Sequence, residues 1–449
     1  MNILVISNTG EFLPVVYRIR KQSPKVGIWI YLHNPKCSEL LYRGILNNRI
    51  GVKELKKVLS KVDLVIFDTI RKNEKKKQDG ALLKLFGLKA NVEDVFGAVA
   101  DKLKKDYKVI GGSSATGEVE LDRLKGEQLA KKAGLNIPEN YQFKTLSEGI
   151  KFLKGRKDLW VFKPFGNLDL DLTYVEKFPG DLIGKMEYEI KERIGEKVEY
   201  ILQKKITGVE ISTEMIFDGE KAVSFNHTIE DKKFLAGNLG VNIGSQNNIV
   251  WIKKNENGLL VKELKNIIPF LKEANYMGMF DINCIVNQED KKPYYLEATC
   301  RCGYDALYCL LSLLQTPIAD FFVNNFQGNF YDGFAASERI TIPPFPYSDE
   351  GLLEELAKDT LIYGEMDDYP NFWMEDVYIN KKGKLACAGS DGILGVVTAK
   401  GKTIDEAANK VYQNIKRLRI SNDIQYRNDL GKRALKAMNL FKEWGIKVE

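Results

Sequence analysis

One lysine sits where lysines are rarely found, inside the apolar run Trp160-Val-Phe-Lys163-Pro-Phe-Gly166. Burying an ammonium without a partner costs several kcal/mol. An anionic ligand such as phosphate would supply that partner; the plain alternative is an edge-strand lysine reaching solvent. Two further runs place acids in apolar settings, Met279-Phe-Asp281-Ile-Asn283-Cys-Ile-Val286 and Tyr294-Tyr-Leu-Glu297-Ala-Thr299. The short link 287–292 predicts a hairpin. By the two-residue strand period Asp281 and Asn283 share a face, as do Glu297, Thr299 and Arg301. If the faces coincide, two carboxylates meet an arginine in one pocket. Such acids repel unless a cation lies between them, and hard oxygen donors favour Mg2+ bridged to nucleotide phosphates. The competing reading is a structural salt bridge from Arg301.

A third stretch, Glu230-Asp231-Lys-Lys233 through Gly237, Gly240, Asn242, Gly244, Ser245 and Gln246, reads as a polar loop. Its glycines allow close backbone approach to a ligand.

These residues need a scaffold. Short apolar runs at 3–7, 27–32, 62–67 and 108–110 alternate with helix-length segments, the rhythm of an open parallel sheet over 1–115. Residues 122–134 read as a helix closed by Gly134. Strands at 159–163, 199–204, 209–218, 221–227, 278–287 and 293–298, with a helix at 258–273, suggest an α+β unit over 116–330. Its lid portion spans about 137–204. The tail, 331–449, reads as a β-rich domain with strands at 374–380, 384–388 and 393–398 and a helix at 403–418. The proline-rich 340–346 segment marks an edge or linker.

The chain has 449 residues, 44% hydrophobic and 29% charged, with a net charge of +6. That excludes a mostly disordered chain. The charge is too mild for a nucleic-acid binder, although it suits anionic small molecules. No apolar run nears the ~20 residues of a membrane span, so a cytoplasmic protein is expected. Six scattered cysteines fit reduced thiols, and Cys300-x-Cys302 is spaced more tightly than the usual C-x2–4-C of zinc sites, with only two histidines in the chain.

Taken in order, the lysine-bearing strand, the strand Gly208-Val-Glu210-Ile-Ser212, the Gly/Asn loop and the acidic hairpin resemble the ATP-grasp carboxylate–amine ligases. More narrowly the chain resembles the phosphoribosylamine–glycine ligase family. That family's Asp-His-Lys and Thr-Gly-Pro-Asn-Thr-Gly-Gly look like Asp231-Lys-Lys233 and Leu239-Gly-Val-Asn-Ile-Gly-Ser245. Its Glu-Phe-Asn-x-Arg-x-Gly looks like Glu297-Ala-Thr-Cys-Arg-Cys-Gly303. Gly392–Val397, Ile404–Tyr412 and Tyr426–Arg433 are similar to its C-terminal domain. The departures fall at functional positions. Asn8-Thr-Gly10-Glu-Phe replaces a Gly-Gly-Arg-Glu-His run, Phe67-Asp68-Thr69 replaces Gly-Pro-Glu, the loop 166–173 is poor in glycine, and Thr299 replaces an asparagine.

The resemblance implies an ATP-grasp fold with an N-terminal open parallel sheet and a β-rich C-terminal domain. It implies ATP and Mg2+ (or Mn2+) as cofactors. Lys163 and Arg123 or Lys125 would hold the phosphates, Gln203, Lys204, Lys205 and Ile206 the adenine, and Glu210 the ribose. Glu297, Asp281 and Thr299 would take the metal. Arg301, Asp231 and Lys233 would be catalytic, with Gly10, Asn242, Gly244, Ser245 and Arg301 around the substrates. The implied reaction joins glycine or another amino acid to phosphoribosylamine or a related amine through an acyl phosphate. Small molecules are the expected partners, without nucleic acid or membrane, for a monomer or dimer. The alternative is a nucleotide-binding regulatory or scaffold protein that has lost ligase chemistry.

Overall fold

A computed structural model describes residues 1–34, 39–165, 173–253, 258–347 and 349–448. The chain divides into two compact units: Met1–Gly117 with Ile211–Asp281 and Thr299–Glu449, and Glu118–Glu210 with Ile282–Ala298.

The first unit opens with four parallel strands, β1 (Asn2–Ser7), β2 (Gly27–Leu32), β3 (Leu64–Phe67) and β4 (Lys108–Ile110), in the order β2-β1-β3-β4. β1 and β3 are almost wholly buried, as expected for strands covered on both faces, where apolar runs replace alternation. Leu4, Val65 and Phe67 pack with Phe96 and Val99 from the helix Val95–Leu103. In such a sheet, ligands sit outside the carboxyl ends of the strands. Here those ends carry Ser7 to Phe12, Asp68 and Thr69, and Gly111 to Ser114.

The second unit holds β5 (Asn140–Thr145), β6 (Trp160–Pro164), β7 (Tyr174–Val175) and β8 (Lys197–Lys204), paired antiparallel in the order β5-β8-β6-β7. Trp160, Phe162, Tyr200 and Leu202 fill its core. The helix Arg123–Ala133 starts where the Asp122 carboxylate accepts the Leu124 and Lys125 amides, and stops at Gly134 with φ +98°.

The remaining strands are β9 (Gly208–Phe217), β10 (Ala222–Leu235), β11 (Leu239–Lys253), β12 (Gly278–Asn287), β13 (Pro293–Thr299), β14 (Phe334–Thr341), β15 (Phe372–Met374), β16 (Val377–Ile379), β17 (Leu385–Cys387) and β18 (Ile393–Gly401). Within the first unit they run β12-β9-β10-β11-β14-β18-β15, and β13 lies beside β12 in the second. Register puts Ser212 opposite Thr228, Glu214 opposite Asn226, Glu230 opposite Asn248 and Asn248 opposite Ser337. One face of the sheet therefore carries a polar stripe. The helix Tyr304–Leu313 packs across this face, where Arg339 bonds Asp305 at 2.8 and 3.1 Å and Ser312 bonds Thr398 at 2.8 Å.

Two sequence expectations change. The stretch expected as a polar loop is mostly strand, with β10 and β11 forming a long hairpin. The 340–346 segment was expected as an edge or linker; its first two residues end β14, an interior strand between β11 and β18, and the rest follows as a connection. The reason is local: Phe334–Thr341 contains no proline, so its ladder is complete and Pro343, Pro344 and Pro346 fall beyond it. No helix among the described residues is long and apolar enough to cross a membrane.

Candidate functional site

In the first unit, Arg301 precedes the helix Tyr304–Leu313. Its guanidinium lies 5.1 Å from the Tyr304 ring centroid and donates at 3.4 Å to the Cys302 carbonyl. Asp68, fully buried after β3, and Glu11 are charge neighbours of Arg301 and Tyr304. Burial and the Glu11 charge push the Asp68 carboxyl well up, opposed by Ser7, Arg301 and the Phe12 amide. Gly10 adopts φ +99°, where a Cβ would stand 3.0 Å from Leu13 Cδ1, and its amide donates to Ser7 Oγ at 2.9 Å.

Asp281 closes the first unit's part of β12 and accepts the Ser212 hydroxyl at 3.0 Å. Its carboxylate neighbour within that unit is Glu214, a residue the sequence reading did not single out. Burial, then the Asp281 charge, push Glu214 up to about 8, with an opposing hydrogen bond from Asn226. The signal was available in the two-residue spacing of Glu210, Ser212 and Glu214 along an apolar strand. Burial, followed by the charges of Glu214 and Asp68, raises the Cys302 thiol. The five described cysteines are free and buried.

Asp231, expected to be catalytic, lies among arginines of the tail. It is buried at 4% exposure on β10, with Arg427 Nη2 at 3.6 Å and Arg433 Nη1 at 3.5 Å. Burial raises its carboxyl, and the two arginines oppose that rise. Lys233 lies at an irregularity in the β10–β11 register, and its carbonyl accepts Arg427 Nη1 at 2.9 Å. Asn242 pairs with Lys233 across the hairpin and accepts the Gly244 amide at 3.1 Å. Ser245 accepts Asn248 Nδ2 at 2.9 Å. The hairpin end carrying Asn242, Gly244 and Ser245 is largely exposed.

In the second unit, Lys163 is 8% exposed on β6. Glu127, on the helix Arg123–Ala133, has Lys163 and Arg123 as its cationic neighbours and bonds Asn140 at 3.0 and 3.2 Å. Burial raises Glu127, and those groups oppose it. Of the two helix cations considered, Arg123 thus joins Lys163, while Lys125 pairs with Glu118 at 2.7 Å. Gln203 is buried on β8, the Lys204 ammonium lies 3.6 Å from Asp158, and Lys205 Nζ donates to the Glu176 carbonyl at 3.1 Å. The Lys204 and Lys205 amides donate to the Glu139 and Leu159 carbonyls, and Ile206 follows them. Glu210 accepts Asn283 Nδ2 at 3.0 Å, and Glu297 is exposed on β13. The glycine-poor segment 166–172 lies outside the described residues.

Mg2+ usually takes one or two carboxylates and leaves the rest of its shell to water and phosphate. Of the residues expected to take the metal, Asp281 and Thr299 lie in the first unit and Glu297 in the second. Among the described residues no three His, Cys, Asp or Glu side chains converge as a complete protein cage.

The chain has the ATP-grasp fold. It aligns over 95% of its length with the solved phosphoribosylamine–glycine ligase of Thermotoga maritima, covering 99% of that chain at TM-score 0.67 and 15% identity. Biotin carboxylase from Campylobacter jejuni, solved as a β,γ-ATP complex, matches over 99% of this chain and 97% of its own at TM-score 0.59 and 14% identity. In sequence, the chain is 24% identical over 358 residues to the phosphoribosylamine–glycine ligase of Clostridium acetobutylicum, across 75% of this chain and 82% of that enzyme. No family model matches.

Proposed function

We propose that this chain is an ATP-dependent carboxylate–amine ligase using Mg2+. The observation that carries the reading is Lys163, buried within β6 and sharing Glu127 with Arg123. On a fold solved elsewhere with ADP and a β,γ-ATP ligand, such a cation fits nucleotide phosphates. ATP phosphorylates a carboxylate, that of glycine or another amino acid. An amine nitrogen then attacks the acyl carbon, the C–N bond forms, and phosphate leaves with the acyl C–O electron pair.

Positioning and charge neutralisation carry such a reaction. Lys163 and Arg123 balance phosphate charge, and Asp281, Glu297 and Thr299 offer oxygen atoms to the metal. Bound Mg2+ would neutralise the transferring phosphoryl group. Arg301, with its fixed donor fork, faces the carboxylate or acyl phosphate. Asp231 and Lys233 belong to the β10–β11 hairpin. Nothing in the relatives supports a chain that has lost this chemistry.

Hydroxylamine, a generic amine, tests the reading without knowledge of the natural acceptor. With ATP and Mg2+, one or a few amino acids should yield hydroxamate and ADP in equal amounts. Absence of hydroxamate from every amino acid tested, with ATP bound, would return the protein to the binding-module reading.

A further inference from the structure

The turn between β1 and the helix Leu13–Gln22 lies at a strand's carboxyl end before a helix, where backbone amides of an open α/β sheet normally receive phosphate. In this chain two of its amides already serve the protein and a third position has none. The Gly10 amide donates to Ser7 Oγ at 2.9 Å, the Leu13 amide donates to the Gly10 carbonyl at 2.9 Å, and Pro14 has no N–H. The Asp68 carboxyl, 0% exposed, lies toward the Ser7 hydroxyl and the Phe12 amide, neither in full hydrogen-bonding geometry, with Arg301 as its cationic neighbour. Asp68 therefore adds a buried carboxyl beside this turn.

Glu11 adds a second acid. Its Oε1 accepts the Thr9 hydroxyl, while its Oε2 is buried and accepts nothing. Among the described residues, some donors of the neighbouring turns are committed as well. The Gly111 amide donates to the Met277 carbonyl at 2.7 Å and the Ser114 amide to Asp101 at 2.9 Å. Lys76 pairs with Glu74, and Arg71 with Glu74 and Asp79. A buried carboxyl oxygen lacking a donor is costly. An ammonium brings three donors and no acceptor, which matches Glu11 Oε2 and the two Asp68 oxygens.

We propose that the amine acceptor of this chain is a non-phosphorylated molecule bearing a second, cationic group seated on Asp68 and Glu11. The role of acceptor rests on the ligase reading above; the preference for a cation over a phosphate at this turn is read separately, by equilibrium binding without ATP. The probes are 1,4-diaminobutane and ribose 5-phosphate, titrated into the full chain by calorimetry. The diamine should bind at least tenfold more tightly than ribose 5-phosphate, and Asp68→Asn and Glu11→Gln should each weaken it at least tenfold. If Asp68→Asn fails to fold, Glu11→Gln carries the comparison. Equal or tighter binding of ribose 5-phosphate, or diamine binding unchanged by the substitutions, overturns the proposal. Failure of the ligase reading shows instead as absent hydroxamate, in an assay that uses neither probe.

Discussion

Arg427 reaches back from the tail to place its guanidinium 3.6 Å from the buried carboxylate of Asp231, while also holding Asp429 at 2.8 Å. The same guanidinium donates to the Lys233 carbonyl at 2.9 Å, and its backbone amide donates to Glu338 at 2.7 Å. One residue thus ties the β10–β11 hairpin to β14. Asp231, expected in the sequence to be catalytic, is held by these ion pairs within that hairpin.

Breaking a buried pair by removing one partner leaves an uncompensated charge. Arg427→Ala is therefore expected to lower stability by about 3 kcal/mol. Denaturant melts of Arg427→Ala, Asp231→Asn and the double variant should show non-additive losses, because the residues share one network. Additive losses would separate them.

Lys163→Ala should weaken MgATP binding at least tenfold, about 1.4 kcal/mol. Glu297→Gln, at an exposed position, should abolish turnover with little change in melting temperature. Calorimetry and thermal melts of the two variants check both statements. Unchanged, metal-independent ATP affinity would remove Lys163 and Glu297 from the nucleotide site.

How far the sequence could go is visible in particular residues. β1, β3 and β12 were legible because fully apolar or alternating runs report burial directly. β14 was hidden by prolines that follow it, since the composition of a window does not say on which side of a strand end a proline falls. Glu214 was passed over because its neighbours Met215-Ile216-Phe217 read as core. Its partnership with Asp281 depends on strands 60 and more residues apart coming together as β9 and β12, and no local pattern encodes that pairing. Likewise, the two arginines of Asp231 come from the tail.

Glu338 gives a pH signature. It is buried, bonded to Gln246 at 3.0 Å and to the Arg427 amide, and burial pushes it from 4.5 up to about 8. The folded state thus holds a proton that the unfolded chain releases near pH 4.5. Its contribution to stability is full below that pH and is lost as pH rises toward 8. Glu338→Gln keeps an acceptor oxygen and removes the titration. The variant should match the wild type at pH 4 and gain on it progressively up to pH 8–9. A stability difference independent of pH would contradict the assignment.

The acyl phosphate is the centre of the account, and oxygen transfer reports it most directly. The full chain is incubated with ATP, Mg2+, hydroxylamine and amino acids labelled with 18O in the carboxylate, and the released phosphate is weighed by mass spectrometry. The account predicts one 18O atom in each phosphate formed with the correct amino acid, because the carboxylate oxygen that attacks the γ-phosphorus leaves with it. Phosphate released without label, while hydroxamate still accumulates, would contradict it.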